Sequence, residues 1–157
     1  MTVTDIGNEL YLELSEPSDT SLAAIVKKLR HTIGDLNNLL NTSFILNGSY
    51  EIVDNGTEIT TDQASILKKL FLISYYTKQS RTYLGANGVD SIVEVTSDGS
   101  RYRTVDRNQI SKSYIELKKL EQAELKTLLN NYKFNKSTAK HVVGDDYISK
   151  YDVVDPE

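Results

Sequence analysis

The sequence predicts a mainly α protein: a small bundle of about four helices with an inserted β-hairpin and an extended C-terminal tail. Three observations predict it. Long stretches place apolar residues at the three-four spacing that buries one face of a helix. Between two of them lies Asn87–Ile110, NGVDSIVEVTSDGSRYRTVDRNQI, where a strand-turn-strand pattern forms around Asp98-Gly99. Past Lys133 no period survives.

The first helix is expected over Asp5–Leu14, with Ile6, Leu10 and Leu14 on one stripe. Ser15-Glu16-Pro17-Ser18-Asp19 stops it, because a proline disfavours helical backbone in the residue before it. Asp19 or Thr20 then caps a second helix, whose buried set is Leu22, Ile25, Val26, Leu29, Ile33, Leu36 and Leu40, with His31 and Gly34 off that face. Between Asn41 and Thr60 two Asn-Gly pairs, Asn47-Gly48 and Asn55-Gly56, offer the positive φ of tight turns. Either a small hairpin or an ordered loop on the helices fits this stretch. The third helix has a capping box, Thr60 with Gln63, and Ile59 placed to staple onto Ala64. Ile66, Leu67, Leu70, Phe71 and Ser74 continue its inner face, and Leu84-Gly85-Ala86 followed by Asn87-Gly88 ends it. A fourth start repeats the third, with Asp106 as cap, Gln109 three residues on and Val105 facing Ile110. Its apolar seam reads Ile110, Tyr114, Leu117, Leu120, Leu125, Leu128 and Tyr132, with a step after Leu120.

With Asp98-Gly99 at the centre of the turn, Ser97 opposes Ser100, Val95 faces Tyr102, Val93 faces Thr104 and Ile92 faces Val105. On the other face Glu94 lies opposite Arg103, an attractive cross-strand pair. Two strands alone are marginal in water. The hairpin of residues 91–105 either folds over its own bundle or adds to a neighbour's strands. Arg101 and Arg103 flank Tyr102, a short basic-aromatic set suited to contacting a neighbouring subunit or the backbone of passing DNA.

Length and composition bound the function classes. A chain of 157 residues, 39% apolar, fits one domain with a thin core. There is no cysteine and a single methionine, which excludes disulfides, thiolate metal sites and cysteine nucleophiles. No stretch resembles a signal peptide and no apolar run approaches the ~18 residues of a membrane span, so cytoplasmic synthesis is expected. The Asn-x-Ser/Thr triplets at Asn41, Asn55 and Asn135 then read as chance matches. The net charge of −4 is unevenly spread. Residues 1–19 hold Asp5, Glu9, Glu13, Glu16 and Asp19 and no base, while 61–86 and 107–133 carry a surplus of positive charge. The end of the chain is acidic again, with Asp145, Asp146, Asp152, Asp155 and Glu157. Segments of opposite sign can pair head-to-tail between identical copies, although solvated helix faces also explain them.

No catalytic pattern stands out. His141 near Asp145 and Asp146 offers too few ligands for a catalytic metal centre. Glu9, Glu13 and Glu16 have the pairing a glycosidase needs but no local group to set their acidities apart. Ser137, His141 and Asp145 share a chain order with triads and lack a rigid frame to hold them. Ser97-Asp98-Gly99-Ser100 lacks the glycines and the Gly-Lys-Ser/Thr of a phosphate loop. Ten tyrosines, among them Tyr75, Tyr76, Tyr83, Tyr114, Tyr132, Tyr147 and Tyr151, suit interfaces or a semi-buried core. The expectation is a non-enzyme without cofactors.

Three segments, NELYLELSEPSDTSLAAIVKKLRHTIGDLNNLL, ITTDQASILKKLFLISYYTKQSR and VEVTSDGSRYRTVDRNQISKSYIELKK, together resemble the neck proteins of tailed bacteriophages, the head-to-tail connectors or adaptors beneath the portal. The resemblance covers most of the chain to Lys133. It implies a helical domain, residues 1–133, assembled as a dodecameric ring in the virion. The ring would extend the DNA channel and meet a tail or second neck protein. It also implies that residues 134–157 form a tail docking onto the portal protein through Phe134, His141, Val142, Val143, Tyr147, Ile148 and Tyr151. Glu94, Arg101, Tyr102 and Arg103 would then make inter-subunit or DNA-channel contacts. Another neck or tail-completion protein, or a DNA-binding regulatory helical protein, is the alternative.

Overall fold

Free amides at a helix start need acceptors, and this chain supplies them from side chains. Helix α1 (Val3–Glu13) is capped by Thr2, whose hydroxyl accepts from the Asp5 amide while the Asp5 carboxylate accepts from the Thr2 amide. The Thr2 amide and, after it, the Thr2 side chain hold the Asp5 carboxyl below its ordinary range. The expected start at Asp5 was late because Asp5 is the third residue of a capping box, not its first. Ser15 and Glu16 end the helix in left-handed backbone, at φ 57° and 52°. Helix α2 (Leu22–Leu40) is capped by Ser21 rather than Asp19 or Thr20, because Asp19 accepts instead from the Gln79 amide group. It closes at Asn41, left-handed at φ 52°. A computed structural model of the chain describes residues 1–85, 94–97, 100–103 and 107–137.

The stretch after α2 is a three-stranded antiparallel sheet of β1 (Ile45–Leu46), β2 (Ile52–Asp54) and β3 (Thr57–Glu58), in that order. Asn55 and Gly56, both at positive φ (49° and 82°), make the two-residue turn between β2 and β3 that the sequence predicts. Asn47-Gly48 works differently. The Asn47 side-chain oxygen accepts from the Ser49 and Glu51 amides, and Tyr50 rather than Gly48 takes the left-handed position. Asn37, on α2, accepts from the Phe44 amide at 2.8 Å and donates to its carbonyl at 2.9 Å, pinning the sheet to the helix. The chain start joins the same sheet edge: the Val3 amide donates to Tyr50, and the Met1 ammonium pairs with Glu58 at 2.6 Å.

Helix α3 (Thr61–Gly85) opens on the expected box, with the Thr60 amide donating to Gln63 Oε1 at 2.9 Å and the Gln63 amide donating to Thr60 Oγ1. The core lies where α1, α2, the sheet and the first half of α3 meet. Its members include Ile6, Leu10, Ile25, Leu29, Leu36, Ile52, Ile66, Leu67 and Phe71. Thr32 is buried among them, its hydroxyl donating to the Lys28 carbonyl. Strands β4 (Glu94–Ser97) and β5 (Ser100–Arg103) pair in the predicted register, Glu94 with Arg103, Val95 with Tyr102 and Ser97 with Ser100. The expected pairs Val93–Thr104 and Ile92–Val105, and the Asp106 cap, lie outside the described residues.

Helix α4 (Arg107–Ser137) runs antiparallel to α3, with Ser111 against Ser80 and Tyr132 against Gln63. Two sequence expectations change here. The seam is Ser111, Tyr114, Lys118, Glu121, Leu125, Leu128 and Tyr132, a strict alternation of three and four, so Leu117 and Leu120 lie outside it, 40% and 54% exposed. Reading only apolar residues misplaced them, because the middle of the seam is charged. Phe134 does not start an extended tail; it sits in the last turns of α4, 71% exposed.

Two glycines of the helices predict opposite responses to one methyl group. A Cβ on Gly7 would stand 2.7 Å from Val26 Cγ2, where α1 crosses α2, whereas Gly34 faces open space. Gly7→Ala should destabilise the fold by about 1–3 kcal/mol through overpacking. Gly34→Ala should stabilise it by about 0.5–1 kcal/mol by restricting the unfolded chain. Urea unfolding of the two variants checks both signs.

Candidate assembly surfaces

Helix α3 is covered on two opposite sides, and each covering leaves a distinct surface. On the α4 side the contact is polar and aromatic. Rings follow one another from Phe71 to Tyr75 (6.2 Å), Tyr75 to Tyr76 (5.6 Å), Tyr76 to Tyr114 (6.1 Å) and Tyr114 to Tyr83 (5.6 Å). The buried Ser111 hydroxyl donates to the Ser80 carbonyl at 3.1 Å. At the centre Lys69 meets Glu121 at 2.8 Å and Glu124 at 2.6 Å. Burial alone would push Lys69 down, but the two carboxylates outweigh it and hold the ammonium above its ordinary range. Gln63 closes the far end, its amide nitrogen donating to Tyr132 Oη at 2.9 Å while its oxygen caps α3. Tyr76, Tyr83 and Tyr114 therefore join α3 to α4, whereas Tyr75 meets rings of its own helix and also lines the groove on the other side. Of the choices the tyrosine excess leaves open, interface or semi-buried core, Tyr76, Tyr83 and Tyr114 take the internal one.

Because its inner face is spent on this polar seam, α4 carries apolar side chains outward. Ile115, Leu117 and Leu120 are 37%, 40% and 54% exposed, and of the α4 residues whose side chains are described only Ser111 and Glu121 are buried. At 100° per residue Leu117, Leu120 and Phe134 share one side of the helix, with Leu120 and Phe134 about 21 Å apart along it.

The other side of α3 forms a groove with α2 of about 780 Å³. Phe71, Tyr75 and Ile25 floor it; Lys27, Lys28 and His31 from α2, and Lys78 and Arg81 from α3, ring it. None of these basic groups makes an ion pair among the described residues. The acidic start of the chain is also in view. Glu9 pairs with Lys68, while Leu12 (65% exposed), Glu13 and Glu16 point outward at the end of α1. Composition along the chain showed the acidic segment; the groove drew cations from two helices 50 residues apart and left no local pattern to find.

Of the residues singled out from sequence, Glu94 and Arg103 are brought opposite each other and Tyr102 opposite Val95, with Arg101 opposite Thr96. Phe134 lies on α4. His141, Val142, Val143, Tyr147, Ile148 and Tyr151 fall outside the described residues. Among the described residues no three His, Cys, Asp or Glu side chains gather as a metal site, and no helix is long and apolar enough to cross a membrane. Comparison of the chain with family models, with curated proteins and with solved structures gave no match in any of the three.

The seam carries its own pH signature. Burial raises the phenols of Tyr75, Tyr76 and Tyr114 above the ordinary 10.0, and Lys69 is held above 10.5. All four bind their protons more tightly when folded, so their stabilisation is complete below those values and is lost as pH rises through the raised ones. Thermal melting should be insensitive to these groups at neutral pH and fall steeply above about pH 10. Tyrosinate absorbance should show a late-titrating class that disappears on unfolding.

Proposed function

We propose that this protein is a structural adaptor of a tailed-phage virion, a ring subunit beneath the portal that joins head to tail and extends the DNA channel. The observation that supports it most directly is the construction of α4. A 31-residue helix packed on α3 through a polar seam, with Leu117 and Leu120 turned outward, is built to be covered by another chain. The β4–β5 hairpin between α3 and α4 adds a further element, whose strands pair only with each other among the described residues and so offer edges to a neighbour. The partners on this reading are further copies of the chain, the portal protein, and a tail or second neck protein. Residues 138–157, which continue from the exposed end of α4, carry the docking anchors Val142, Val143, Tyr147, Ile148 and Tyr151. The protein works by interlocking surfaces rather than by bond chemistry.

Truncation after Ser137 should leave the helical circular dichroism and melting of the domain unchanged and remove binding to the portal protein of the same phage. Leu117→Asp/Leu120→Asp, at exposed positions, should leave the monomer folded and prevent the multi-copy complex. Undiminished portal binding by the truncated chain would overturn the assignment of the tail, and undiminished assembly by the α4 variant would overturn that of the helix face.

A further inference from the structure

The basic groove and the acidic end of α1 have complementary chemistry; the body of α1 packs on the side of α2 away from the groove, and the turn from Pro17 to Thr20 brings the chain to the groove's edge. Gly7 of α1 approaches Leu22, Val26 and Leu29. The groove is lined from α2 by Ala24, Lys27, Lys28 and His31. At 100° per residue these two sets lie about half a turn apart on the helix. A surface that fits a different surface of the same molecule makes a heterologous contact when each copy gives one and receives the other from different neighbours, and such contacts propagate as a ring or a filament.

Resting on the adaptor reading, we propose that the groove between α2 and α3 receives the end of α1 of the neighbouring copy. Leu12 enters above Phe71 and Tyr75, and Glu13 and Glu16 meet Lys28, Lys78 and Arg81.

Both sides are electrostatically incomplete in the single chain. Lys27, Lys28, Lys78 and Arg81 line one recess with no acid among its lining residues, and Asp19, beside the lining Thr20, is engaged by Gln79. Their mutual repulsion is relieved by an anionic surface. On the other side, Glu13 occupies the last turn of α1, where no basic residue accompanies it. The negative end of the helix dipole disfavours a carboxylate there and leaves it to be matched by a cation. Glu13 and Glu16 make no ion pair among the described residues. Leu12 supplies the apolar tip that an aromatic floor accepts. The half-buried Tyr75 ring at the floor of the groove favours a protein face over nucleic acid: a phosphate backbone would use the cations and leave that ring unused.

The chain contains no cysteine, so single cysteines report one contact cleanly. Full-length Leu12→Cys and Ser74→Cys variants, the latter next to Tyr75 in the groove lining, are mixed and oxidised, with and without portal protein. The expected result is a disulfide-linked heterodimer in excess over both homodimers, weakened by salt. Lys28→Glu/Arg81→Glu on the Ser74→Cys chain should abolish it, and Glu13→Lys/Glu16→Lys on the Leu12→Cys chain should restore it. That rescue separates recognition from a folding defect. Rings that form with portal while the heterodimer does not would overturn this contact and leave the adaptor reading standing. A heterodimer with charge-swap rescue but no portal complex would support the contact and remove the adaptor reading. Retention of duplex DNA that is lost in Lys28→Glu/Arg81→Glu, with no heterodimer, would make the groove a phosphate site and overturn the proposal.

Discussion

The ion pair of Lys69 with Glu121 and Glu124 is the constraint around which the rest of the chain is arranged. It sits midway along the α3–α4 contact, where a chain with more apolar residues would place leucines. A charged pair of this kind is costly to break but contributes little net stability compared with apolar packing. It fixes which faces of two helices meet and in which register. With that register set, Ser111 reaches Ser80, Tyr114 enters between Tyr76 and Tyr83, and Tyr132 arrives at the cap of α3. The fully buried apolar core is built by α1, α2, the sheet and α3, and α4 adds Leu125, Leu128, Leu129 and Tyr132 packed against it.

That division of labour explains what the sequence revealed. α2 was plain because one side is core and the other solvent, so apolar periodicity and burial coincide. The cap of α3 was plain because Thr60 and Gln63 are adjacent in chain and in function. The hairpin register followed from Asp98-Gly99 alone, since turn geometry dictates the facing residues. α4 was read with the wrong seam because the rule equates buried with apolar. In this helix Lys118 and Glu121 face inward and Leu117 and Leu120 face out. The groove was not legible at all, since its cations come from α2 and α3 and are joined only by folding. The tyrosine excess was visible, but rings spread over Phe71–Tyr114 do not announce whether they meet each other or a partner.

A helix held largely by polar contacts with leucines on its outer side, a basic recess and an acidic helix end are the three features the proposed reading brings together: on it, each is buried against another chain. Charge segregation would then act as a selector, since like surfaces repel, unlike surfaces attract, and copies meet in one orientation. The reading as a ring-forming adaptor unites the features with the resemblance of the helical segments and the hairpin to phage neck proteins.

The most direct measurement is the native mass by light scattering, for the full chain alone and mixed with the portal protein of the same phage. The account predicts one defined multi-copy complex, formed on the portal if not before it. A chain that stays monomeric with portal present would contradict it.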